Sequence, residues 1–197
     1  MSPSPLILAS GSAVRATLLR NAGLEFGVED SRVDEDAVKK RFAGGDTDAL
    51  ALKLAEEKAL TVSRANLAAF VIGADQILSC DGDRFDKPRD MDEARANLRR
   101  FRARMHTLHS GVVLALGGEI VWRHADQAHL TMRDFPESFL DWYLATLGEK
   151  IRTSVGCYQL EGPGIQLFER IEGDYFTILG LPLLPLLAEL RRREVVR

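Results

Sequence analysis

Cysteine is scarce in this chain: Cys80 and Cys157 are its two, far apart and each beside an apolar run. That speaks against a disulfide framework or a cysteine zinc site and for two reduced, packed thiols, which fits the cytoplasm. Long apolar runs are missing too. MSPSPLILAS has no basic n-region, LPLLPLL is broken by prolines, and nothing reaches the ~18 residues of a membrane span, so neither leader nor membrane contact is expected. Charge of one sign is not in excess. A net charge of −3 gives no expectation of nucleic acid as a partner, and a small molecule is the better candidate. Internal repeats, low-complexity tracts and linkers are also absent.

What is present is 197 residues, 46% of them hydrophobic, enough for a substantial core in a single domain spanning 1–197. LILA reads as a short strand, AVRATLLRNA as a helix ended by Gly23, and FGVED as a second strand. A polar segment, SRVDEDAVKKRFAGGD, leads to a helix from Thr47 to Ala65 and then the strand AFVIGA. A hairpin turning at Asp81-Gly82 follows. DMDEARANLRRFRAR is an amphipathic helix with Asp90 and Glu93 as a capping pair. Two β segments, 106–116 and 119–132, flank Gly117-Gly118, and Pro136 opens a helix to Leu147. Short strands around Cys157 and over Ile165–Arg170, then a helix from Pro182, complete a mixed α/β pattern.

Four segments carry chemistry. In SGSAVR, Arg15 falls in the first turn of a helix capped by Ser12, where its charge opposes the helix dipole. Either Arg15 is solvated, or it joins the backbone amides and the Ser10 and Ser12 hydroxyls around a phosphate. Lys58 projects onto the centre of an apolar helix face, so its ammonium either snorkels out or points at carboxylates or phosphates. Asp75 ends the strand AFVIGA at the edge where open α/β sheets place ligands. A two-residue hairpin puts Lys87 opposite Gln76; a three-residue loop puts it diagonal to Asp75. Asp34-Glu35-Asp36 is a solvated loop or helix start, or a source of oxygen ligands for Mg²⁺ or Mn²⁺. His106 and His109 point to opposite faces of a strand and have no third partner for zinc. In LRRFRARMH the arginines solvate the outer face of a helix that buries Leu98 and Phe101, which leaves nucleic acid without a reader.

Taken together, LILASGSxxR, VDE at 33–35, LAEEKA, VIGADQ, DGDRFDKP, HSGVVLA and GCYQLEGPGIQLFERIEGDYFTILGLPLL resemble the Maf family of nucleotide pyrophosphatases over nearly the whole chain. The resemblance implies an elongated mixed sheet flanked by helices, two lobes with a central cleft, and cleavage of a nucleoside triphosphate to monophosphate and pyrophosphate. Ser10, Ser12 and Arg15 would bind phosphates, and Lys58 and Lys87 would neutralise them. Glu35 and Asp75 would hold a divalent metal and activate water. A homodimer is also implied, as is an association of the family with septum formation, in which the chain would be a nucleotide-binding regulator. Val14 replaces one of two arginines usual in the first motif, which implies weaker phosphate binding or a compensating cation. Gln76 and Glu161 resemble the 7-methyl-GTP branch, Glu161 as a partner for a guanine edge, whereas the dTTP/UTP branch usually has Thr and Gln there. Tyr158 and IEGDYFTILGLPLL match the 7-methyl-GTP branch less well.

Overall fold

A computed structural model of the chain describes residues 5–42 and 46–196. The apolar LIL forms β1 (Leu6–Leu8), and Ser12 caps α1 (Ala13–Asn21) by accepting from the Arg15 N–H. After β2 (Gly27–Val28) the segment read as polar begins a helix, α2 (Glu35–Arg41). Asp34 caps it through the Ala37 N–H, with Glu35 and Asp36 in the first turn, so the helix-start reading holds. Residues 43–45 of that segment lie outside the described residues. Next come α3 (Thr47–Ala65), β3 (Phe70–Cys80) and β4 (Asp83–Phe85). These are followed by α4 (Met91–Phe101), β5 (Met105–Leu116), β6 (Glu119–Met132) and α5 (Glu137–Leu147). β7 (Phe168–Glu172), the short α6 (Tyr175–Ile178) and α7 (Leu183–Arg192) complete the chain. Three expectations need correcting. β3 continues through Asp75 to Cys80, so Asp75 sits in the middle of its strand and not at the end. Cys157 lies in a turn at φ +58° rather than in a strand, and Ile165 belongs to a 3₁₀ turn preceding β7. No helix among the described residues is long and apolar enough to cross a membrane.

The strands form a seven-stranded mixed sheet in the order β2-β1-β3-β5-β6-β7, with β4 paired to β3. β1 runs parallel to β2 and β3, whereas β4 and β7 are antiparallel to their partners. Contacts divide the chain into two compact units, one from the described parts of 1–76, 109–126 and 174–197, the other from 77–108 and 127–173.

In the first unit side-chain alternation sorts the strands onto two faces. Leu6, Leu8, Ile72, Ala74, Val112 and Leu114 pack against α1 and α7; Val71, Val113 and Ala115 pack against Ala55, Ala59 and Val62 of α3. Two glycines let α3 lie directly on the sheet. A Cβ at Gly73 would stand 2.2 Å from the Ala55 carbonyl oxygen, and one at Gly111 would stand 2.7 Å from the Ala51 carbonyl carbon. In the second unit α4 buries Ala94, Leu98 and Phe101. Its outward arginines meet acids: Arg95 pairs with Asp141, Arg99 with Glu137, and Arg100 with Asp83.

Candidate active site

The close seat of α3 on Gly73 brings Lys58 over the strand residue two places further on, Asp75. Lys58 Nζ donates to Asp75 Oδ1 at 2.6 Å and lies 2.7 Å from Glu35 Oε1 at the start of α2. Lys58 and Asp75 are both buried. Their burial decides between the two readings of Lys58: its ammonium points at carboxylates. Burial raises the proton affinity of the Asp75 carboxyl above the ordinary range, and nearby Glu35 adds to this, while Lys58 and Arg15 pull the other way. An ion pair removed from water is a poor source of stability, which makes this cluster the candidate site.

Arg15 has a different placement from the solvated side chain that its position in the first turn of α1 permits. β1 stops at Leu8, paired with Ile72, while β3 runs on to Cys80, which leaves the Ala74 carbonyl without a strand partner. Arg15 Nη1 donates to that carbonyl at 2.9 Å and to Ser10 Oγ at 3.2 Å, while Nε donates to the Gly180 carbonyl at 2.7 Å. Ser10 Oγ also accepts from the Ser12 N–H at 3.2 Å. The SGSAVR motif is thus assembled as one cluster at the carboxyl end of β1, next to Asp75. Burial lowers the Arg15 pKa, and Asp75 and Glu35 oppose that shift. Val14, half-buried, adds no cation.

Gln76 takes the sheet face opposite Asp75. Its Nε2 shares two hydrogens among three acceptors, the Thr177 carbonyl at 2.9 Å, the Ile178 carbonyl at 3.2 Å and Ser110 Oγ at 3.0 Å. Sequence reasoning missed Ser110, Thr177 and Asp126, which form one network: Ser110 Oγ donates to the Thr177 carbonyl at 3.0 Å and Thr177 Oγ1 to Asp126 Oδ2 at 2.8 Å. HSGVVLA contains Ser110, but nothing local marks partners 51 and 67 residues apart. His109 also found a partner, Asp48 of α3, at 2.7 Å.

Lys87 and Glu161 belong to the second unit. The hairpin pairs Cys80 with Asp83 across a two-residue turn, and its ladder ends at Phe85, so Lys87 follows it exposed in irregular chain. Glu161 is exposed in a turn ahead of the 3₁₀ segment Pro163–Leu167.

Among the described residues no three His, Cys, Asp or Glu side chains gather as a metal cage. The pair Asp75 and Glu35 nonetheless fits a hard divalent cation. Both present carboxylate oxygens to one positive centre, now the Lys58 ammonium, and Mg²⁺ typically needs only one or two carboxylates when substrate phosphates complete its shell.

Known proteins resemble the chain along nearly its whole length. The Maf-like protein family matches residues 5–193. A 7-methyl-GTP pyrophosphatase of Brucella suis biovar 1 is 51% identical over 97% of both chains. One of Rhizobium meliloti is 53% identical over 94% of both. A nucleoside triphosphate pyrophosphatase of Granulibacter bethesdensis is 50% identical, covering 97% of this chain and 98% of its own. With motifs, fold and full-length similarity in agreement, the chain belongs to the Maf-like protein family.

Proposed function

We propose that this protein is a nucleoside triphosphate pyrophosphatase with 7-methyl-GTP as its preferred substrate. One observation carries the reading: a buried carboxylate, Asp75, shares the Lys58 ammonium with Glu35 beside the Arg15 cluster. Hydrolysis forms a bond from the water oxygen to phosphorus and breaks the α–β anhydride, releasing monophosphate and pyrophosphate. The developing charge needs cations, and the water needs an acceptor for its proton. Asp75 is that acceptor, made more basic by burial. Lys58 orients it and neutralises phosphate charge; the Ala13 and Val14 N–H groups at the start of α1, with the Ser12 hydroxyl, are donors for an anion. Mg²⁺ or Mn²⁺ held by Asp75 and Glu35 would supply further charge neutralisation at the reacting phosphoryl group.

The preference for 7-methyl-GTP draws on the names of relatives half identical to this chain and on Gln76 and Glu161. Two unpaired, buried thiols suit a reducing cytoplasm, and the homodimer implied by the resemblance belongs to the same reading. The test is pyrophosphate release from 7-methyl-GTP, GTP, dTTP and UTP with Mg²⁺ or Mn²⁺. Turnover is expected with 7-methyl-GTP leading, and Asp75→Asn should lower kcat about 10²–10⁴-fold. dTTP or UTP in the lead would move the chain to the other branch. Nucleotide binding without metal-dependent turnover would replace the enzyme with a nucleotide-binding regulator.

A further inference from the structure

The orientation of the Gln76 side-chain amide is set by chemistry. Its Nε2 faces two backbone carbonyls, those of Thr177 and Ile178. Carbonyls only accept, so they admit the NH₂ end of an amide and exclude its oxygen. Ser110 adds an independent constraint. Its hydroxyl hydrogen goes to the Thr177 carbonyl, so toward Gln76 it can only accept. Among the described residues every hydrogen bond of this amide runs through Nε2, which leaves Oε1 an acceptor without a partner.

The carbonyls are held in turn. Asp126 takes the Thr177 hydroxyl, Asp174 caps the N–H groups of Phe176 and Thr177, and Arg15 draws in the Gly180 carbonyl. Gly180, at φ +90°, is where the two side chains converge: a Cβ there would stand 3.6 Å from Gln76 Oε1 and 3.5 Å from Arg15 Nη2. The amide oxygen and the guanidinium that lines the candidate site thus both border Gly180.

We propose that Ser110, with the Thr177 and Ile178 carbonyls, is a positioning device that locks Gln76 as a one-sided reader. It accepts a hydrogen bond from a donor on the substrate and offers nothing to an acceptor. The inference rests on the nucleotide reading of the site, and two donors of a nucleotide fit it: the N–H edge of a guanine-type base and the ribose 2′-hydroxyl. Adenine presents a ring acceptor where guanine presents a ring N–H. A base made cationic by methylation is a stronger donor still, which ties the locked oxygen to the preferred substrate.

The test measures binding of the α,β-methylene analogues of GTP, ATP and 2′-deoxy-GTP by calorimetry to the wild type, Ser110→Ala and Ser110→Thr, with thermal melts alongside. Loss of one neutral hydrogen bond predicts that Ser110→Ala weakens the donor-bearing analogues about 3- to 10-fold, leaves the analogue lacking the donor within about twofold, and is rescued by Ser110→Thr. Sparing of the ATP analogue assigns the donor to the base; sparing of the 2′-deoxy analogue assigns it to the ribose. Equal weakening of all three, or no change in a folded Ser110→Ala, overturns the locked reader while leaving the nucleotide site standing. A wild type that binds none of the three removes the nucleotide reading and this inference with it.

Discussion

Arg15 enters α1 where the helix dipole repels a cation, and burial further disfavours its charge. It is kept there by geometry: a planar fork satisfies the Gly180 carbonyl with one nitrogen and the Ala74 carbonyl with another. Lysine has the charge without the fork. Arg15→Lys should therefore leave one of those carbonyls unpaired and lower stability by about 1–3 kcal/mol in urea titrations, together with a fall in kcat/KM. A variant as stable and active as the wild type would mean that Arg15 is simply a phosphate ligand. Val14 sharpens the point, because the motif has no second arginine to share the task.

The placement of α3 depends on what its neighbours lack. Ala51, Ala55 and Ala59 on the helix and Gly73 and Gly111 on the strands remove side chains from the contact, so backbone meets backbone and Lys58 reaches Asp75. Gly73→Ala forces a methyl group against the Ala55 carbonyl at 2.2 Å. The overpacking should cost about 1–3 kcal/mol and shift Lys58, so both the melting temperature and kcat should fall. Gly27→Ala in β2 is the control. Its added carbon would find Ile7 at an ordinary 3.9 Å, and stability should hardly change. Equal effects at both glycines would refute the close seat of α3.

Protons couple the stability of the whole molecule to pH through groups both outside and inside the candidate site. His106 is buried among Phe101, Tyr158 and Phe168, with Nε2 on the Tyr158 hydroxyl at 2.8 Å. Burial lowers its pKa from 6.5 to about 3. The unfolded chain therefore binds a proton between these values that the folded chain does not, so this contribution is complete above pH 6.5 and is lost as pH falls toward 3. At pH 5 the loss is about 2 kcal/mol. Urea midpoints at pH 7 and 5 should differ accordingly, and His106→Gln should flatten the difference; an equal fall in both proteins would assign it elsewhere. Asp75 has the opposite sign in the metal-free protein. Its pKa is raised above 3.8, so its contribution is complete below that value and is lost as pH rises through the folded one.

Much of this was legible in the residues because it is local. A continuous apolar run gave β3 its buried character, Asp90 caps α4 by accepting from the Glu93 N–H three residues on, and Asp81-Gly82 makes a two-residue turn with both φ angles positive. These are interactions between near neighbours, and residue type suffices to specify them. Asp75 after an apolar run, Lys58 on an apolar stripe and Arg15 in a first turn were likewise visible as residues in need of partners, although β3 carries on past Asp75 to Cys80. Which partners they take was decided by packing. Arg15 meets a carbonyl 165 residues away, Gln76 one 101 residues away, and Lys58 a carboxylate 17 residues on. Such contacts arise only when α3 settles on two glycines and β1 ends short of β3, and no spacing along the chain encodes the distances that result. Amide orientation and burial-driven pKa shifts belong to the same class, because both depend on what surrounds a group in space and not on what precedes it in the chain.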